Sequence, residues 1–344
     1  MKIIYSDAHK GHAGAPEMRG ESFVPMAECP ERMEVILQAL AEAGLADVQA
    51  PTPHGLEAAA RIHDPDFLRF LETAYPMWLK EKGPGSAAFA RTFGMRGMAQ
   101  KPNMNSVNAM LSAYTFDIFA PLVAGSWQAI RSAVDVALTG AGLMQAGASS
   151  VFSLCRPPGH HASGDLAGGY CYLNNAAIAA QFYRDRGAAR VAILDIDYHH
   201  GNGTQRIFYD RGDVLFISLH GRPEEEYPFL LGFADETGSG KGEGLNLNLP
   251  MPPGTRIGTY MEAMETAAAR IRSYAPDMLI VSLGVDTFDG DPVGGFCLKT
   301  PDYLRLGQVI AGLDLPTHFV MEGGYAIDAL GRNVANVLTS YLEG

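Results

Sequence analysis

Short apolar runs that alternate with segments of helical spacing constrain this chain more than any other feature. Lys2–Tyr5, Val151–Leu154, Val191–Leu194, Val214–Leu219, Met278–Leu283 and His318–Met321 are brief, apolar and mostly rich in β-branched or aromatic residues. Glu31–Ala43, Asp66–Tyr75, Trp127–Leu138 and Asn174–Asp185 carry helical periodicity, with Pro30 and Gly44 bracketing the first. Strands alternating with helices predict an α/β architecture, a mostly parallel sheet flanked by helices on both faces. With 344 residues and 47% hydrophobic content, the chain can form a sizeable core. No linker, repeat or low-complexity tract divides residues 1–344, so a single domain is expected. Residues 76–126 break the pattern, with Gly83-Pro84-Gly85, several Met and little periodicity. We expect a functional insertion there that forms a dimer interface.

In an open parallel sheet, ligands bind beyond the carboxyl ends of the strands. Four of the predicted strands end in reactive residues. Val151–Leu154 leads to Cys-Arg-Pro-Pro-Gly-His160-His161, and Val191–Leu194 to Asp195, Asp197 and His199 before a Gly-Asn-Gly turn. Met278–Leu283 leads to Gly-Val-Asp286, and His318–Met321 to Glu-Gly-Gly-Tyr325. Alternate residues of an extended chain share a face, so Asp195, Asp197 and His199 are expected to aim at one point. Carboxylates beside an apolar strand are costly unless something positive lies between them. The bland alternative is an acidic loop after a strand.

Asp197, His199 and Asp286 supply one imidazole and two carboxylates. A catalytic zinc takes three protein ligands and keeps one position open, and so oxygen-rich a set also suits iron(II), cobalt or manganese. His160 and His161 follow a Pro-Pro-Gly turn, where both rings can face a pocket and serve as general base and general acid. Gly323-Gly324-Tyr325 lets backbone approach closely and presents a phenol able to donate to a developing oxyanion.

The net charge of −12 argues against nucleic-acid or membrane-surface partners and is compatible with a cationic substrate. The four cysteines, Cys29, Cys155, Cys171 and Cys297, show no metal or disulfide spacing. No signal peptide and no membrane span are evident, so a soluble, cytoplasmic protein is expected.

Five blocks, in order and spacing, resemble the histone deacetylase family. They are Arg156-Pro-Pro-Gly-His-His161, Gly168-Gly-Tyr-Cys-Tyr-Leu-Asn-Asn175, Asp195-Ile-Asp-Tyr-His-His-Gly-Asn-Gly203, Gly284-Val-Asp-Thr-Phe-Asp289 and Glu322-Gly-Gly-Tyr325. Within it, Val151–His161 and Val281–Phe288 are most similar to the bacterial acetylpolyamine amidohydrolases. The resemblance implies one zinc ion on Asp197, His199 and Asp286. It implies His161 as general base and then acid, with Asn202 as its partner, where some members carry Asp. It implies His160 as a standing cation bonded to Asp195, and Tyr325 as the carbonyl-polarising group. A neutral partner should leave His161 easier to deprotonate than His160. The resemblance also implies K⁺ or Na⁺ on oxygens of Asp195, Asp197, His199, Ser218 and Leu219.

Tyr170 and Tyr227 match the aromatic walls of the family's substrate tunnel. Glu17 sits where the resembling group contacts polyamine. Glu224-Glu225-Glu226 precedes Tyr227 at the expected mouth, although an exposed acidic run is often only a solvated loop. The related amidohydrolases carry acids around 103–120, where this chain has only Asp117. That difference points to short acetylated diamines, such as acetylcadaverine or acetylputrescine, over acetylspermine. The runner-up substrate is acetyl-lysine in a protein or peptide, and a further alternative is a non-catalytic acyl-amine-binding protein. A binuclear ureohydrolase is disfavoured because Phe288 stands where a second metal would need Asp. A Cys155–His acyl-enzyme is disfavoured because it leaves Asp197 and Asp286 idle.

Overall fold

The computed structural model describes residues 1–94 and 103–344. The part of the expected insertion at 95–102 lies outside the described residues. In chain order the elements begin with β1 (Lys2–Ile4), β2 (Pro16–Arg19), β3 (Ser22–Pro25), α1 (Glu31–Glu42), β4 (Val48–Gln49), α2 (Pro65–Lys82) and α3 (Val107–Tyr114). There follow α4 (Ser126–Gln145), β5 (Ser150–Ser153), α5 (Asn175–Asp185), β6 (Val191–Asp195), α6 (Asn202–Phe208) and β7 (Val214–Gly221). The chain closes with β8 (Asn246–Met251), α7 (Ile257–Tyr274), β9 (Met278–Leu283), α8 (Asp302–Ala311), β10 (Thr317–Met321) and α9 (Ile327–Glu343).

Eight strands form one sheet in the order β4-β1-β5-β10-β9-β6-β7-β8, and every pairing in it is parallel. β2 and β3 form a separate antiparallel hairpin. The sheet is buried on both faces, and alternation along each strand feeds two cores. In β6, Val191 and Ile193 enter the core shared with α2 to α5. Ala192 and Leu194 enter the opposite core, shared with α1, α7, α8 and α9. Consequently β5, β10, β9 and β6, the four strands with reactive endings, lie side by side at the centre.

One expectation needs correction. The helix expected to stop at Tyr75 continues through Pro76 to Lys82. Pro76 lacks an N–H donor, at a cost of about 3 kcal/mol in a helix interior. Continuing the helix buries Trp78, whose Nε1 donates to Ser86 Oγ at 2.9 Å, and burial of a large apolar side chain acts against that cost. The described part of the insertion contributes to the core. Val107, Met110, Leu111 and Tyr114 are buried in the chain's own core. Much of its apolar content is therefore used internally.

Candidate active site

The site is built at the carboxyl ends of the four central strands. β6 ends at Asp195, and the next residues turn toward β9 and the loop after it. Asp197 and His199 meet Asp286, their ligand atoms all within 4.8 Å of one another. Asp195 does not join them. It lies within the strand, and its Oδ2 accepts from His160 Nδ1 at 3.0 Å. The expectation that all three residues aim at one point thus holds for two.

The donor set fits a divalent metal. His199 Nε2 lies 3.1 Å from the Val293 carbonyl, which can only accept, so this nitrogen carries the proton. Nδ1 faces Asp286 Oδ2 at 3.1 Å and Asp197 Oδ1 at 3.4 Å. Two carboxylates so placed call for a positive charge between them, either a proton on Nδ1 or a metal ion in its place. Burial resists charge on His199, yet Asp197 and Asp286 together push it up to about 10. The backbone is shaped around the same space. A Cβ on Gly323 would lie 2.5 Å from both Asp197 Oδ2 and Asp286 Oδ2, and one on Gly284 would lie 2.1 Å from Asp197 Oδ2. His160, Cys171 and Glu322 also cluster, but Glu322 Oε2 is taken up by the Gly159 and His160 N–H groups and His160 Nδ1 by Asp195.

Both histidines of the Pro-Pro-Gly turn face the site, with ring centroids 4.0 Å apart. Glu322 Oε2 accepts from the backbone N–H groups of Gly159 and His160, at 2.7 and 3.1 Å, and so holds the turn. The Gly-Asn-Gly sequence is not a simple turn but the start of α6. The Gly203 and Thr204 N–H groups donate to the His160 carbonyl at 3.0 and 3.1 Å. A Cβ on Gly203 would lie 2.2 Å from the Ala162 carbonyl oxygen, so only glycine permits this approach. The helix start carries Asn202, whose Oδ1 accepts from His161 Nδ1 at 2.6 Å. Burial opposes charge on His160, but Asp197 and Asp195 hold it well above the usual histidine range. Burial, aided by the His160 charge, pushes His161 well below that range.

Above these residues opens a cavity of about 340 Å³. His161, His199, Tyr170, Tyr227, Tyr325 and Glu17 all line it. The Tyr227 ring lies 5.0 Å from His161, and the Tyr170 ring 5.6 Å from Tyr325. Phe119 bridges the two walls, its ring 6.2 Å from Tyr170 and 6.4 Å from Tyr227. Asp117 fixes this lining by accepting from the Phe119 N–H at 2.8 Å, the Gly169 N–H at 2.9 Å and the Tyr227 hydroxyl at 2.5 Å. Of the acidic run at the mouth, Glu226 lines the cavity, Glu225 pairs with Arg222, and Glu224 is exposed.

Some supporting residues escaped the sequence reading. Buried Arg32 donates to the Gly324 and Glu322 carbonyls at 2.7 and 2.5 Å, and its guanidinium lies 4.7 Å from the Tyr325 ring centre. Asp291 accepts from the Tyr325 and Ala326 N–H groups at 2.7 and 2.9 Å. No local sequence pattern marks either residue. Asp195 and Ser218 are fully buried register partners on β6 and β7, and Ser218 Oγ lies 2.8 Å from His220 Nδ1. Cys155 faces away from the cavity, its Sγ 3.4 Å from the Ala133 carbonyl, and burial pushes its thiol well up. It is no nucleophile.

Fold and site together define an α/β protein with a carboxylate-and-imidazole centre under an aromatic-walled cavity. The histone deacetylase domain matches residues 26–341, and the chain belongs to that family. It is 50% identical to acetylpolyamine amidohydrolase 2 of Pseudomonas aeruginosa, over 99% of this chain and 98% of the relative. It is 46% identical to the acetylpolyamine amidohydrolase of Mycoplana ramosa, over 98% of each. The crystal structure of an acetylpolyamine aminohydrolase from Burkholderia pseudomallei superposes with a TM-score of 0.93 at 39% identity, over 99% of this chain and 98% of the other.

Proposed function

We propose that this protein is a zinc-dependent amidohydrolase that removes acetyl groups from small cationic acetylated amines. The carrying observation is His199 Nδ1 set between the Asp197 and Asp286 carboxylates, beneath a cavity lined by His161 and Tyr325. Asp197, His199 and Asp286 would hold zinc, which when bound polarises a carbonyl and acidifies water. His161 donates its Nδ1 proton to Asn202 and so keeps a lone pair on Nε2. That nitrogen takes the water proton as the new C–O bond forms, and returns it to the amine nitrogen as the C–N bond breaks. Acetate and a free amine leave. The Tyr325 hydroxyl donates to the carbonyl oxygen as it gains negative charge. His160, bonded to Asp195, stays cationic beside the reacting groups.

Several finer readings accompany this one. Asp195, Asp197, His199, Ser218 and Leu219 would hold K⁺ or Na⁺, whose charge offsets two buried aspartates. The protein acts as a homodimer in the cytoplasm. Four free cysteines support a reducing compartment, and exposed Met18, Phe23, Phe229 and Leu230 support a partner subunit. Acetylated diamines are the favoured substrates, ahead of acetyl-lysine in a peptide.

The test is a turnover screen of acetylated diamines, polyamines and an acetyl-lysine peptide with the zinc-reconstituted protein. Acetylcadaverine or acetylputrescine should be hydrolysed fastest. Tyr325→Phe should fall by ~10²–10³ and His161→Ala by ~10²–10⁴ in kcat, with circular dichroism unchanged. Wild-type rates in either variant remove that residue from the mechanism. No turnover of any acetylated amine overturns the assignment.

A further inference from the structure

Glu17 does not meet the cavity as a free acid. Its side chain is only 3% exposed, and its Oε2 accepts from the Tyr170 hydroxyl at 2.6 Å and the Ala27 N–H at 3.2 Å. Its Oε1 is ion-paired with Arg19 through one guanidinium nitrogen. Glu17 and Arg19 are i and i+2 on β2, hence on one face of the hairpin, and both line the cavity. The Arg19 side chain is 44% exposed, and Glu17 is its one acidic partner among the described residues. A guanidinium offers five N–H donors in a fixed fork, so most of this one remains open to a carboxylate.

The pair therefore presents a fixed anion and an adjacent cation at the mouth, the length of one tyrosine from the reacting centre. A lone ammonium must compete with Arg19 for Glu17. A group carrying both charges on one carbon satisfies each. We propose that the mouth recognises the zwitterionic end of a free ω-N-acetylated α-amino acid, with its ammonium on Glu17 and its carboxylate on Arg19. This rests on the deacetylase reading and adds a substrate class to it. A peptide-borne acetyl-lysine lacks both charges and gains nothing from the pair.

Nε-acetyl-L-lysine and N-acetylcadaverine differ only by the α-carboxylate, which makes them the matched probes. Both should be hydrolysed by the zinc-loaded wild type. In Arg19→Gln, kcat/KM for Nε-acetyl-L-lysine should fall by about tenfold through KM, the loss of one partly solvated charge contact. The value for N-acetylcadaverine should rise as Glu17 is released, and Arg19→Lys should restore part of the acetyl-lysine rate. An unchanged ratio of the two substrates in Arg19→Gln overturns the proposal. So does a wild type that hydrolyses N-acetylcadaverine but not Nε-acetyl-L-lysine. If neither is hydrolysed, the deacetylase reading fails, and calorimetry with the products decides the subsite. L-lysine should then bind the wild type more tightly than Arg19→Gln, and equal binding overturns the proposal.

Discussion

At the scale of single residues, the site depends as much on missing atoms as on present ones. Gly323 separates the Asp197 and Asp286 carboxylates from the backbone, and a methyl group there has no free space. The neighbours are carboxylate oxygens anchored to backbone N–H groups: Asp197 Oδ2 to Gly323 at 2.7 Å, and Asp286 Oδ1 to Tyr198 at 2.7 Å. They cannot yield without losing those bonds. Gly323→Ala should lower zinc affinity by about 10–100-fold, the range for disturbed supports of metal ligands. A chelator-competition titration measures this, and wild-type affinity would show that the cradle has room to spare. The Gly-Gly-Tyr sequence itself announces close backbone approach. What approaches, two carboxylates from other strands, is not written in it.

At the scale of elements, partly buried charge ties helix to sheet. Asp213, at the start of β7, accepts from Arg184 at the end of α5 at 2.7 Å and from Arg211 at 2.9 and 2.7 Å. Partial burial resists its ionisation, but the two guanidinium groups outweigh this and hold it down at about 2. Its folded value lies below its unfolded one, so its stabilisation is complete above about pH 4 and fades as pH falls toward 2. Asp213→Asn should destabilise the protein at pH 7 by on the order of 1 kcal/mol, since the site is partly solvated. The gap from the wild type should close between pH 4 and pH 2. Urea unfolding at both ends measures it, and a gap that widens on acidification would contradict the linkage. Strand β8 shows what local reading misses at this scale. Its sequence, Asn-Leu-Asn-Leu-Pro-Met, carries a proline and two buried asparagines, which suit only an edge position with polar partners.

At the scale of the whole molecule, one group of exposed apolar side chains lies near the cavity mouth. Met18 and Phe229 line the cavity, while Phe23, the cross-strand partner of Met18, and Leu230, next to Phe229, are 70% and 73% exposed. Within the insertion expected to supply the interface, α3 packs its buried face into the core. A dimer should appear by light scattering at micromolar concentration, and Phe23→Ser with Leu230→Ser should shift it to monomer. A monomeric wild type would remove the dimer from the proposed function. A double variant that stays dimeric would move the interface elsewhere.

The sequence by itself determined six of the eight strands of the main sheet and the reactive residues at the ends of the central four, because strand formation and side-chain alternation are local properties. It also supplied the three candidate metal ligands, both histidines and Tyr325. Only the tertiary structure decided which groups meet. Arg32 holds Gly324 across 292 positions, and Tyr170 reaches Glu17 across 153. Contacts of that kind are set by how the sheet and helices pack, and no local propensity encodes them. For the same reason Glu17, which the sequence offers as a free acid for an amine, is in the folded chain already paired with Arg19.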